Sequence, residues 1–363
     1  MQMSRAMLSL GQVSALTEHF GSPECIWSAD ENEIRTVLNR APEAAGRLID
    51  IRKDCPDPDR IHAEYARVDS LGIGYVCFFD NDYPEKLRNI PNPPLGLFYL
   101  GRLPDSDTPA IAIVGSRDCS NYGKSVAIDL SRKLAGSGID IISGMAAGID
   151  GFSHRGALNG GGDTFAVLGC GVDICYPAVN RDIYARIRDH GGIISEYYPS
   201  TQPLSYNFPM RNRLISGLSD GILVVEARQR SGSWITVDFG LEQGKEIYAV
   251  PGRIGDRLSA GCNNLIRNGA RLVTGPEDII RDLGQLYAGK IASQNAEAAN
   301  RRNGISNTPE EKILSELDLT GRSIDDICAA TGMGAAEVTR VLTLLEIRGK
   351  CTRIGTAVYA LKV

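Results

Sequence analysis

A chain of 363 residues is long for one domain and suits two or three. Its 43% hydrophobic and 23% charged residues are those of a globular protein, and a net charge of −5 argues against a bulk polybasic nucleic-acid binder while leaving room for a local basic patch. Nine cysteines without a CxxC pair and only four histidines argue against a disulfide framework and a zinc site, so neither metal nor cofactor is expected. Without a basic-then-apolar leader or a long apolar run, no membrane span is expected and a reducing cytoplasm is the default location. Charge is uneven: residues 1–104 hold 11 Lys and Arg against 15 Asp and Glu, whereas 205–271 hold 9 against 6, which makes the glycine-rich middle the basic part of an acidic protein.

In chain order, residues 8–50 read as short helices, with Ser22 placed to cap one of them and an acidic amphipathic segment from Asp30. The acidic balance favours a structural or protein-contact role for this part. Ile73–Phe79 reads as a strand, and the proline-rich DNDYPEKLRNIPNPPLGLFYLG as a rigid connector. From Ala110 onward apolar strands (AIAIVG, IDIISG, TFAVLG, GGIISE, ILVVE, EIYAVPG, ARLVTG) alternate with helical segments, which predicts βαβ units, a parallel sheet and right-handed crossovers. Most strands end in Gly or Ser, and those ends form the crevice where open α/β sheets bind ligands. A polar stretch of linker composition precedes three helical patterns and a terminal hairpin, CTRIGTAVYAL, the order of a winged helix-turn-helix. Its 7 basic against 8 acidic residues leave duplex binding and protein contact equally open. The expected organisation is a small helical (SAM-like) domain over 1–72, an extended Rossmann-like α/β domain over 73–284, a linker over 285–308 and a winged-helix-like domain over 309–363.

The candidate chemistry concentrates between Phe208 and Thr236. Arg211 and Arg213 flank Asn212 before a short apolar helix pattern, which predicts guanidinium groups at a helix N-terminus, where free N–H groups already favour an anion. Ser231, Gly232 and Ser233 supply a second turn and cap after the buried strand. VGSRDCSNYGKS is not a Walker A loop, because Gly115 lies too far before Gly123, and it lacks GxGxxG; it leaves Ser116 and Arg117 at a strand end, within reach of a phosphate. Gly144 and Gly148 let backbone approach a ligand. Asp150 and His154, four apart on one helical face, read as structural, with Asp150 in an N-cap position. Glu196 and Glu226 end strands as either a base or an arginine partner, and no matched catalytic set is displayed. Phe208 beside the cations offers a stacking face, and single-stranded nucleic acid is the ligand that uses both stacking and phosphate contacts.

The motifs VGSRDCSNYG, SGMAAGIDGFSH, GCGVDICYP, ISEY, FPMRNRLISGLS, SGSWIT, VPG and GCNNLIRNGA, in this order, strongly resemble the bacterial DNA-processing protein A (DprA, or Smf) family over about residues 82–275. The resemblance implies an extended Rossmann domain that binds and protects single-stranded DNA and loads the recombinase RecA onto it during natural transformation, as a homodimer and without catalytic turnover. It places the DNA pocket on Ser116, Arg117, Phe208, Arg211, Asn212 and Arg213. Ala178 and Ser205 stand where some relatives have lysines, which should weaken phosphate binding unless Arg181 or a neighbour substitutes. Two other readings share these residues. One is a nucleotide-processing hydrolase of the Rossmann phosphoribohydrolase type, although the PGGxGT-type loop is missing; the other is a regulatory binder whose winged helix contacts duplex DNA.

Overall fold

The computed structural model describes residues 1–287, 309–317, 321–348, 350–355 and 357–361, and the chain divides into two compact units, Met1–Ala292 and Ser293–Val363. From residue 288 onward the expected linker lies outside the described residues.

The first unit opens with six short helices: α1 (Gln2–Arg5), α2 (Leu10–Phe20), α3 (Pro23–Ser28), α4 (Glu31–Val37), α5 (Pro42–Asp54) and α6 (Pro58–Ser70). Each start is written locally. Ser9 and Gln12 form a capping box, Ser22, Asp30 and Asp57 accept backbone N–H bonds, and proline opens α3, α5 and α6, where its missing N–H is no loss. Leu16, Ile26, Ile34, Leu48 and Ile49 bury a small core of their own.

A nine-stranded sheet follows, in the order β1-β2-β6-β5-β4-β3-β7-β8-β9. Seven strands are parallel: β3 (Ala110–Val114), β4 (Asp140–Ser143), β5 (Thr164–Val167), β6 (Gly191–Ser195), β7 (Gly221–Val224), β8 (Glu246–Ala249) and β9 (Arg271–Leu272). The other two, β1 (Gly74–Cys77) and β2 (Gly96–Gly101), run antiparallel to each other, and β2 runs antiparallel to β6. The rigid connector expected before the α/β domain therefore hides a strand, since its prolines stop at Pro94 and GLFYLG is free to pair.

Both faces of the sheet are covered, which is why its strands are near-continuous runs of Ile, Val, Leu and Ala. Ile111, Ile113, Leu223 and Val225 meet α8 (Asn121–Gly136), α9 (Ile149–Asn159) and α14 (Pro276–Leu286). Ala112, Val114, Ile222 and Val224 point the other way, toward α11 (Asn207–Gly217), α12 (Ser233–Glu242) and α13 (Ala260–Arg267). Two short helices, α7 (Glu85–Arg88) and α10 (Arg181–Ile187), complete the unit. The chain leaves β3 toward β4 on one face and returns to β7 on the other, so the loops after β3 and β7 diverge and open a crevice at the switch point.

The second unit is a winged helix: α15 (Pro309–Glu316), α16 (Ile324–Thr331), α17 (Ala335–Ile347) and a sheet in the order β10-β12-β11, with strands Arg322–Ser323, Val358–Leu361 and Cys351–Gly355. Ser323 caps α16, and Gly332, at φ 70°, ends it in the left-handed conformation. The exposed side of α17 carries Glu337, Thr339, Arg340, Thr343 and Glu346, without the cationic excess of a duplex reader. Among the described residues no helix is long and apolar enough to cross a membrane.

Candidate nucleic-acid cleft

The crevice holds a cavity of about 470 Å³ walled by the β3–α8 loop, the β4–α9 loop, the start of α11 and the β7–α12 loop. The Ser116 N–H donates to the Glu226 carbonyl at 2.7 Å, binding the first wall to the last. Ser116 is buried and its Oγ accepts the Asp118 N–H at 3.2 Å, while Arg117 projects into solvent with its guanidinium 6.0 Å from the Phe208 ring centre. Among the described residues Arg117 has no ion-pair partner. Gly148 meets the same loop so closely that a Cβ would sit 2.6 Å from the Arg117 carbonyl oxygen, and its φ of 79° independently favours glycine. Gly144 is crowded differently: a Cβ there would lie 2.7 Å from Asp150 Oδ2 and 2.8 Å from Arg211 Nη2, so its bareness makes room for the protein's own charges.

The helix carrying the two arginines starts at Asn207, earlier than expected, because Pro209 is tolerated in a first turn. Arg211 and Arg213 consequently sit beyond the first turn, not at the helix N-terminus. Arg211 is 3% exposed. Its Nη1 donates to the Gly144 carbonyl at 2.9 Å and to the Val167 carbonyl, tying the ends of β4 and β5 together, and its Nε reaches Asn212 Oδ1 at 3.2 Å. Burial draws its pKa down to about 10, with Asp150 opposing, so it remains a cation at neutral pH. Asp150 is equally enclosed: it lies inside α9, whose N-cap is Gly148, and its Oδ2 accepts the Gly144 and Ala146 N–H groups at 3.1 and 3.4 Å. Burial pushes its pKa up, against Arg211 and those two amides.

Arg213 faces elsewhere. Its Nη1 meets Glu196 Oε2 at 2.5 Å as an ion pair without an aligned hydrogen bond, its Nε donates to the Asn92 carbonyl at 3.0 Å, and it does not line the cleft. Asn212 and Phe208 do line it. The Phe208 ring is half-buried, 5.8 Å from the Arg211 guanidinium and 5.7 Å from the Tyr176 ring, and backed by Gly169, where a Cβ would be 3.0 Å from Phe208 Cδ1. On the far wall Gly232, not a serine, is the N-cap of α12; Ser231 Oγ accepts the Ser233 N–H at 3.4 Å and bonds Ser233 Oγ at 2.9 Å. Two cleft residues escaped the sequence reading: Arg228, paired across the mouth with Asp118 at 3.2 Å, and exposed Arg230, which has no ion-pair partner among the described residues. Their signal was the basic EARQRSGS run between strand and turn. Ser205 lines the cleft; Ala178 and Arg181 do not.

Neither acid at a strand end is free. Glu226 accepts the Ser120 N–H at 2.8 Å and its Oγ–H at 2.5 Å, and Glu196 holds Arg213. His154 is fully buried on the inner face of α9, its Nδ1 2.7 Å from Thr164 Oγ1. Because that hydroxyl donates to the Ile141 carbonyl, Nδ1 carries the proton and Nε2 is left without a partner. Burial, reinforced by Arg211, depresses the imidazole pKa to about 3. A depressed histidine is neutral in the folded state while the unfolded chain takes up a proton, so stability is lost as pH falls from about 6.5 toward 3. Denaturation midpoints across that window should fall less steeply for His154→Asn, whose amide keeps a donor for Thr164; parallel curves would show that this imidazole does not contribute.

The DNA recombination-mediator protein A family model matches residues 74–284, more than half of the chain, and the DprA winged helix domain model matches 297–355. The chain belongs to the DNA recombination-mediator protein A family. It is 34% identical over 364 residues to Protein Smf of Synechocystis sp., covering 92% of this chain and 90% of that relative. The X-ray structure of DNA processing protein A from Streptococcus pneumoniae is similar at a TM-score of 0.64 and 34% identity, over 77% of this chain and 95% of that one. DNA processing protein A from Helicobacter pylori, described for its single-stranded DNA binding mode, is similar at a TM-score of 0.53 and 30% identity, over 59% of this chain and 97% of that one. The two family models together reach both the α/β sheet and the winged helix.

Proposed function

We propose that this protein is a non-enzymatic, cytoplasmic single-stranded DNA binder that protects incoming DNA and delivers it to the RecA recombinase during transformation, working as a homodimer. The observation that carries the reading is an aromatic face, Phe208, set in a strand-end cleft beside the exposed guanidinium of Arg117, which makes no ion pair among the described residues. A stacking platform flanked by cations suits unpaired bases and their phosphates without reading sequence. The single-stranded DNA binding mode described for the Helicobacter pylori relative supports it. Ser116, Gly144, Gly148, Arg211, Asn212, Ser231 and Ser233 shape the cleft in this reading, and Arg213 supports it from behind. The hydrolase alternative loses its general base, since Glu226 is spent on Ser120. The proposed partition is a helical domain over 1–72, the DNA-binding domain over 73–284, a linker over 285–308 and a winged-helix domain over 309–363.

Filter binding of oligothymidine across a salt series tests the reading. Affinity should fall linearly on a log–log scale, with a slope of about −0.7 per phosphate neutralised. Undetectable binding at low salt by the intact protein would reject it.

A further inference from the structure

A second cavity, of about 670 Å³, opens beside the cleft along the same edge of the sheet. It is lined by Asn121 and Tyr122 at the start of α8 and by Pro251, Arg253 and Asp256 of the loop after β8. The two cavities have no lining residue in common but draw on one segment of chain. The β3–α8 loop gives Ser116 to Asp118 to the first and Ser120 to Tyr122 to the second, and the ridge between them is fixed where Glu226 grips Ser120. The loop after β8 is joined to the far wall of the cleft, since the Ala227 N–H donates to the Leu258 carbonyl and the Gly261 N–H to the Ala227 carbonyl, both at 2.8 Å.

The chemistry of the cleft is repeated here. The Tyr122 ring is 51% exposed, its hydroxyl held by the Pro251 carbonyl at 3.2 Å, so a flat aromatic face is presented from a fixed position. Arg253 and, on the same loop, Arg257 are exposed, and neither has an ion-pair partner among the described residues. The nearby acid is restrained: Asp256 accepts the Leu258 N–H at 3.0 Å and the Ser259 hydroxyl at 3.4 Å within its own turn. A stacking face with one cation in the cavity and a second on the same loop, neither ion-paired among the described residues, matches a base and its flanking phosphates.

We propose that a single-stranded nucleic acid held in the cleft continues over the Ser120 ridge into this second cavity, where Tyr122 stacks on a base and Arg253 meets a phosphate, and that Arg257, on the same loop but outside the cavity lining, meets the next phosphate as the strand leaves. The proposal rests on the cleft reading and extends the track by a second subsite, so its signature is a dependence on strand length.

The test compares the full-length protein with the triple variant Tyr122→Ala, Arg253→Ala, Arg257→Ala on oligothymidines of about 6 and about 30 nucleotides, one near the short end of single-strand site sizes and one well beyond the long end. All three side chains are exposed, so the fold should survive. Loss of one stack and two phosphate contacts should weaken binding of the long strand roughly tenfold or more and flatten its salt slope by about 1.4, leaving the short strand bound as before. Restoring Tyr122 as phenylalanine in that variant should recover part of the loss. An unchanged length dependence overturns the proposal, as does equal weakening on both strands. So does a changed oligomeric state in sedimentation with the length dependence intact, which would assign the surface to a second copy of the chain. Arg117→Ala separates the two levels: weakening on both lengths upholds the cleft even where the triple variant is silent, whereas silence of both variants removes the cleft reading and the extension together.

Discussion

Phe208→Ala should weaken oligothymidine binding by roughly fivefold to somewhat over a hundredfold, corresponding to about 1–3 kcal/mol for one stacked base. The ring is held from three sides, by bare Gly169 behind it, by Tyr176, and by the Arg117 and Arg211 guanidinium groups, so its orientation is set before any base arrives. Such preorganisation lowers the ordering cost of binding. Phe208→Leu should lose most of the same affinity, since it keeps apolar bulk without a π face, whereas Phe208→Tyr should retain it. Arg117→Ala removes an exposed cation that makes no ion pair among the described residues, and should lower the magnitude of the salt slope by about 0.7 as well as the affinity. Equilibrium titration of all three ring variants and of Arg117→Ala against one labelled oligonucleotide gives the comparison. Wild-type affinity in both alanine variants would mean that the strand does not run through this cleft.

Arg213→Ala and Glu196→Ala should each cost about 3–5 kcal/mol of stability, because each leaves one buried charge without its counterpart. The two side chains are 8% and 9% exposed, and Arg213 also satisfies the Asn92 and Met210 carbonyls, so neither survivor can reach water without local disruption. The paired replacement Arg213→Met with Glu196→Leu should recover most of that loss, as apolar side chains of similar volume often substitute for a buried ion pair. Urea denaturation of the singles and the double measures this. In the folded protein, DNA affinity should stay close to wild type in the double variant. A large loss of affinity without loss of stability would return Arg213 to the binding surface.

That contrast shows how far the residues alone carried the site. Arg211 and Arg213 flank one residue in the motif, yet positions two apart on a helix lie about 200° apart around its axis, so both cannot face one cleft. Apolar runs marked β3 to β8 because a sheet covered on both faces needs continuous hydrophobicity, whereas β2 was masked by the prolines just before it. The loops at the strand ends were legible as a crevice. Which charges they turned inward was not, since Asp150 closes on Arg211 only through the turn at Gly144. Arg228 and Arg230 passed unnoticed because a basic run in a loop looks the same whether it bonds to a neighbour or faces solvent.

The margins of the nine-stranded sheet have a consequence for behaviour at high concentration. Long unpaired strand edges invite the pairing of one molecule with the next into fibres, and short or charged edges discourage it. On one margin β1 is four residues long, and the Cys77 N–H is taken by Asp80 Oδ2 at 2.7 Å. On the other, β9 is two residues long and begins with Arg271, paired to Glu246 and Asp282. Neither border offers a run of backbone long enough to template a neighbour, so the sheet resists growth by polymerisation at either side.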